Sequence, residues 1–199
     1  MSEPDELLTP RLRLRRWRRD DAAGIAAIDR DPDVTRYLNR DPGGEGVGPF
    51  LPQLEAHWDE HGFGHWAVEL LDPGDRAPLI GFAGVVYPEF LPELAHRPEL
   101  GWRLAPDAWG RGLGTEATVA ARDDAFARLG LGSLIAIIHP ANERSRRIAA
   151  KLGMVLEARV PHPTLGRDVE VWSVDAGTGD RDRARRTPGA FSRSGARGR

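Results

Sequence analysis

Apolar and polar residues alternate in short blocks along this chain, and the period of the alternation changes from block to block. Arg11-Leu12-Arg13-Leu14-Arg15 repeats every second residue and reads as a strand after Thr9-Pro10. Ala22 to Ile28, behind the acidic pair Asp20-Asp21, reads as a helix that Asp31-Pro32 ends, with a short turn through Val34 to Leu38. Asp41 to Pro49 is a Gly/Pro loop, and Phe50 to His61 is the next helix. Gly64 to Leu71 and Leu79 to Tyr87 are expected to form a hairpin across Asp72-Pro73-Gly74-Asp75. After a loop from Pro88 to Pro98, Glu99 to Ala105 is a strand and Gly112 to Leu129 the main helix. Ile135 to His139, apolar and bounded by Gly132 and Pro140, reads as a buried strand. A helix from Ser145 to Leu152 and strands over Met154 to Arg159 and Val169 to Val174 complete an α/β order without internal repeats.

Composition narrows the class. A chain of 199 residues makes one domain with a core large enough to fold alone. It has no cysteine, which excludes disulfides, thiolate metal sites and an acyl-cysteine intermediate. No apolar run approaches the ~20 residues of a membrane span. Met1-Ser2-Glu3-Pro4-Asp5-Glu6 is acidic and unlike a signal peptide, so a soluble cytoplasmic protein is the expectation. From Gly177 to Arg199 there are seven Arg and two Asp, a net of +5, which leaves -7 for the rest of a chain whose total is -2. With Phe191 its one bulky apolar residue, that segment reads as a disordered, solvated tail; contact with nucleic acid is the lesser reading. The expected division is a domain over 1–176 and the Arg-rich tail over 177–199.

Trp109-Gly110-Arg111-Gly112-Leu113-Gly114-Thr115-Glu116-Ala117 carries the strongest chemical signal. Alternate glycines let the backbone bend and come close to a ligand. The amides that follow belong to a helix N-terminus, which favours anions, and Arg111 adds a positive charge. A phosphate or pyrophosphate is the implied ligand. A Walker loop is excluded, since the one lysine, Lys151, lies elsewhere. Gly112 to Ala117 does satisfy G-x-G-x-x-A, but Ala105 to Trp109 separate it from the preceding strand, and Ser133 to His139 offer no carboxylate for a ribose. A glycine-rich turn without a ligand is the bland alternative.

Gly112 and Gly114 also fit the coenzyme A loop Arg/Gln-x-x-Gly-x-Gly/Ala, although Trp109 stands at its first position. Downstream, Asn142-x-x-Ser145 leads into Lys151-Leu152-Gly153-Met154, with Asn142 a plausible N-cap and Gly153 a helix stop. The two motifs and their spacing resemble the GNAT (GCN5-related) N-acetyltransferases over about Leu7 to Val174, and the aromatic before Gly-Arg-Gly resembles the RimJ/RimL-like branch. The resemblance implies a mixed, mostly antiparallel sheet of six to seven strands with about four helices. It implies acetyl-CoA as co-substrate, no metal, and a primary amine as acceptor, on a protein N-terminus or a small molecule, attacking directly in a ternary complex. A homodimer is compatible with it.

By the same resemblance, the pyrophosphate would meet Arg111, Gly112, Leu113, Gly114 and Thr115, and the pantetheine Trp102, Arg103, Leu104, Asn142 and Ser145. Arg147, with Arg144, Arg146 and Lys151, would supply further phosphate contacts or be a solvated face. The Leu104 amide would hold the oxyanion. The tyrosine that many members place seven residues after the asparagine is Ala149 here, so Ser145 or water would protonate the thiolate. That gap also leaves open a weak or inactive coenzyme-binding protein. Glu99 is the candidate base, with a salt bridge to Arg103 as its structural alternative; His96 and Glu69 are lesser candidates, and His139 reads as packing. His57-Trp58-Asp59-Glu60-His61 spells H-x-x-E-H, yet its short helix lacks a further ligand, so no metal is expected. Trp58, Phe63 and Trp66 line the acceptor groove or pack.

Overall fold

The computed structural model describes residues 6–38, 51–71, 78–163 and 166–177. The Gly/Pro loop, the hairpin turn and the tail from 178 onward lie outside the described residues. The elements are β1 (Glu6–Leu8), β2 (Leu12–Arg15), α1 (Asp21–Asp29), α2 (Pro32–Thr35), α3 (Leu51–His61), β3 (His65–Leu70), β4 (Leu79–Val86), β5 (Glu99–Leu104), a 3-10 turn (Pro106–Ala108), α4 (Leu113–Ala127), β6 (Ser133–Ile138), α5 (Glu143–Lys151), β7 (Val155–Pro161) and β8 (Asp168–Asp175). The described residues thus hold eight strands and five α-helices, one of each more than expected. The extra strand is β1, whose three residues are too few to show a period.

The strands form one sheet in the order β1-β2-β3-β4-β5-β6-β8-β7. Every neighbouring pair is antiparallel except β5 with β6. That pair is in register only at Glu99 and Ile135, beyond which the two strands part. On one face, α4 lays Leu113, Ala117, Ala121 and Ala125 against Leu12, Leu14, Val68, Ala83, Leu100 and Leu134. A spacing of four keeps these residues on one helical stripe, and the small alanines bring the helix close to the sheet.

On the other face, α1, α2 and α3 contribute Ile25, Ile28, Val34 and Leu54 to a second cluster with Trp17, Ala67 and Phe82. Buried Arg15 ties α1 to the sheet, giving 2.7 and 2.8 Å bonds to Asp21 and a 2.7 Å bond to Glu69. Burial opposes ionisation of Asp21, but hydrogen bonds from Arg15 and the Arg18 amide outweigh it and hold the carboxyl below its usual value. Breaking such a buried network from one side typically costs about 3–5 kcal/mol. Asp21 therefore serves as an anchor between sheet and helix.

Candidate active site

Where β5 and β6 part, a cavity of about 580 Å³ opens. Glu99 to Leu104 and Ala136 to His139 form its flanks, and Trp109, Asn142, Arg144, Ser145, Asp33, Tyr37, Tyr87 and Phe90 complete its lining. The Ala105 amide donates to Ile80 on β4 at 2.8 Å. Backbone direction alternates along an antiparallel strand, so the amides of Trp102 and Leu104 turn the opposite way, toward the gap. The Leu104 carbonyl accepts the Trp109 indole N–H at 2.8 Å, which joins the end of β5 to the glycine loop.

Loop and helix start meet the demands of an anion site. Gly110 and Gly112 have φ of 72° and 80°, a left-handed backbone that favours glycine. Gly112 is the N-cap of α4 and offers no side chain to cap it. The first helical amide bond runs from Glu116 to Gly112, leaving the amides of Leu113, Gly114 and Thr115 without an acceptor inside the helix. A Cβ at Gly114 would come within 3.1 Å of Ile148, so that glycine also lets α5 approach. Arg111 is exposed beside these amides. Sequence reasoning missed Arg11, which pairs with Glu116 and donates to the Arg111 carbonyl at 2.9 Å, bracing the loop from the turn before β2.

α5 begins as expected: Asn142 Oδ1 accepts the Ser145 amide at 3.1 Å, and Ser145 lines the cavity. Ala149 is fully buried in the core, away from the cavity lining. Of the four cations near α5, Arg144 lies over the Trp109 ring at 4.3 Å, next to the loop. Arg147 is instead paired with Glu143 at 2.8 Å on an exposed surface, and Arg146 with Glu170 at 3.2 Å. Arg103 bonds Asp29 at 2.8 Å. This ties it to α1, and among the described residues the alternative ion pair with Glu99 does not form. A position four residues from Glu99 on the same strand is paired instead with a carboxylate on the helix above.

Glu99 is recessed at the point where the strands separate. Burial pushes its carboxyl up to about 7, against the opposing effect of a hydrogen bond from the Ile137 amide. A carboxyl balanced there can take a proton at neutral pH. The other candidates are occupied elsewhere: Glu69 belongs to the Arg15 network, and exposed His96 lies outside the cavity lining. His139 lines the cavity beside Tyr37, its Nδ1 accepting the Ala141 amide at 3.0 Å. His57 contacts the Phe63 carbonyl at 2.8 Å through Nδ1 and accepts the Tyr87 amide at 3.2 Å through Nε2, so both ring nitrogens of the first histidine in H-x-x-E-H serve the backbone. Among the described residues, no group of three or more His, Asp or Glu is arranged to hold a metal ion. Trp58, Phe63 and Trp66 are core residues outside the cavity lining.

A splayed β5–β6 pair, strand amides facing the gap, and a glycine-capped helix start define the acyl-CoA-dependent acyltransferases. The profile of the Acetyltransferase (GNAT) domain matches residues 11–155, and the chain belongs to that family. It is 29% identical over 153 residues to the uncharacterized N-acetyltransferase YoaA of Bacillus subtilis (strain 168), covering 76% of this chain and 83% of that one. It is 26% identical over 151 residues to the spermidine N(1)-acetyltransferase of Escherichia coli (strain K12), covering 76% of each. The solved acetyltransferase of Agrobacterium tumefaciens str. C58 superposes with a TM-score of 0.69 at 28% identity, over 87% of this chain and 95% of that one. The protein is an acetyl-CoA-dependent acyltransferase. Among the described residues no helix is long and apolar enough to cross a membrane.

Proposed function

We propose that this enzyme acetylates a primary amine, on a small molecule or a protein N-terminus, by direct attack in a ternary complex. Glu99 carries the reading: a carboxyl with its proton affinity raised to about 7 stands where the strands part. Acetyl-CoA supplies the acyl group as a thioester. The amides of Leu113, Gly114 and Thr115, with Arg111, bind its diphosphate. Arg144, braced on Trp109, is the better further phosphate contact, because Arg147 is neutralised by Glu143. The Leu104 amide donates to the oxyanion that forms on attack. Glu99 takes the ammonium proton, directly or through water, so that the neutral amine can attack. Ser145 or a water returns a proton to the departing thiolate.

The rest of the cavity lining suits a cation. Asp33 and the rings of Tyr37, Tyr87 and Phe90 line it, and ammonium groups are favoured by both carboxylates and aromatic faces. The similarity to a spermidine acetyltransferase puts polyamines first among acceptors to test. The Trp109-Gly-Arg-Gly loop and Ser145 support a place in the RimJ/RimL-like branch, which makes N-terminal peptides the second set. Thiol release from acetyl-CoA, measured across polyamines, aminoglycosides, amino acids and N-terminal peptides, tests the proposal. Turnover with at least one amine is expected; coenzyme binding with no turnover on any amine would refute it.

A further inference from the structure

His65 opens β3 and stands in a row with Gly84 on β4 and Gly101 on β5. The row is kept clear of side chains. A Cβ at Gly84 would fall 2.6 Å from the His65 Cα, and one at Gly101 would fall 2.8 Å from His65 Nε2. The imidazole therefore reaches across the glycine row and brings Nε2 over Gly101, between Glu99 and Arg103 on the same strand. Its backbone is fixed from two directions, since the indoles of Trp17 and Trp58 both donate to the His65 carbonyl, at 2.8 and 3.1 Å. Phe82 packs against the ring, with centroids 4.5 Å apart.

Among the described residues, this firmly held ring has no partner on either nitrogen. It is 8% exposed and lines the cavity. Buried polar groups are almost always paired, and leaving one unpaired is costly, so an orphaned group in a cavity wall points to the ligand that pairs it. Burial, aided by the nearby Arg103 charge, lowers its proton affinity to about 3, so the ring is neutral and can accept a hydrogen bond at one nitrogen.

We propose that His65 is an acceptor-recognition residue, whose Nε2 accepts a hydrogen bond from the N–H of the incoming amine. The inference rests on the amine-acetylation reading above. A neutral primary amine has two N–H bonds and one lone pair. With one N–H held by His65 and the other facing Glu99, the lone pair is left for the thioester carbonyl. His65 takes no proton in this step; it orients the amine, and Glu99 remains the base.

Two variants and one spectrum test it on the full chain. His65→Phe keeps a ring against Phe82 and removes both nitrogens; His65→Gln keeps a donor and an acceptor. The amine probe is the one that gives most thiol release in the panel, or spermidine if none does. Loss of a hydrogen bond to a buried group predicts a fall of about 10- to 100-fold in kcat/KM for the amine in His65→Phe. Acetyl-CoA affinity should stay unchanged, and His65→Gln should recover most of the loss. In ¹⁵N-histidine spectra of the wild type with CoA bound, the Nε2 signal of His65 should move when the amine is added. Undiminished kcat/KM in His65→Phe, or an Nε2 signal that ignores the amine, overturns the proposal. If no amine is acetylated while Nε2 still responds to spermidine, the transfer reading falls and the recognition role stands. Full activity in His65→Phe gives the reverse.

Discussion

Around the glycine loop, the site is assembled from Leu104 to Thr115, a dozen consecutive residues, with α5 close behind. Elsewhere in the cavity lining, Asp33 and Tyr37 come from around α2, His65 from β3, Tyr87 and Phe90 from the loop after β4, and His162 from beyond β7. The donor end works through backbone: amides, a left-handed glycine, a helix start. Such chemistry needs particular residue types at fixed local spacing, and it is the same whichever acyl acceptor is used. The acceptor end works through side chains brought together by the sheet, and its partners are dictated by topology. One end can be read along the chain and the other only across it.

The contrast breaks most visibly at the loop. Gly112→Asp puts a carboxylate where the diphosphate belongs, at a φ of 80° that suits glycine. Coenzyme affinity should fall on the order of 100-fold or more. A titration of acetyl-CoA by calorimetry, with circular dichroism to confirm the fold, checks it; unchanged affinity would remove the loop from the donor site.

Glu99→Gln should separate chemistry from coenzyme binding. Loss of a general base predicts a drop of about 100-fold or more in kcat with acetyl-CoA affinity retained. The wild-type rate should rise with pH through about 7 and this limb should vanish in the variant. The same carboxyl affects stability. Its proton affinity is higher folded than unfolded, so its contribution is fully present at acid pH and lost as pH rises through about 7. The Tm difference between Glu99→Gln and wild type should therefore favour the variant more at pH 8.5 than at pH 5, and a difference that is constant with pH would contradict the shifted carboxyl.

Much of this was legible in advance. Every helix and strand read from the periodicity is present, with ends moved by a residue or two: the strand read as Ile135 to His139 is β6 (Ser133–Ile138), and the helix read as Ser145 to Leu152 is α5 (Glu143–Lys151). Asn142 caps α5 as its type suggests. What escaped was non-local. Arg11 sits more than a hundred residues from the Glu116 it holds, and nothing in its own neighbourhood marks it as part of the loop. The partner of Arg103 is Asp29, on a helix whose packing no strand alternation reveals. His65 carries no motif; two tryptophans and two glycines on other elements define its place.

Smaller effects sharpen the donor end. Trp109→Phe keeps a ring beneath Arg144 and removes the hydrogen bond to Leu104, predicting a loss of about 1 kcal/mol in kcat/KM, or several-fold. Arg144→Ala should weaken coenzyme binding more than Arg147→Ala, whose exposed pair with Glu143 is worth well under about 1 kcal/mol. Equal effects in a side-by-side titration would mean that the two arginines are not distinguished as their surroundings suggest.

A crystal structure with acetyl-CoA bound tests the central claim most directly. The account predicts the diphosphate against the amides of Arg111 to Thr115, and the thioester carbonyl in the β5–β6 gap, within hydrogen-bond reach of the Leu104 amide. Density for the diphosphate away from the α4 N-terminus, or an acyl group outside that gap, would contradict it.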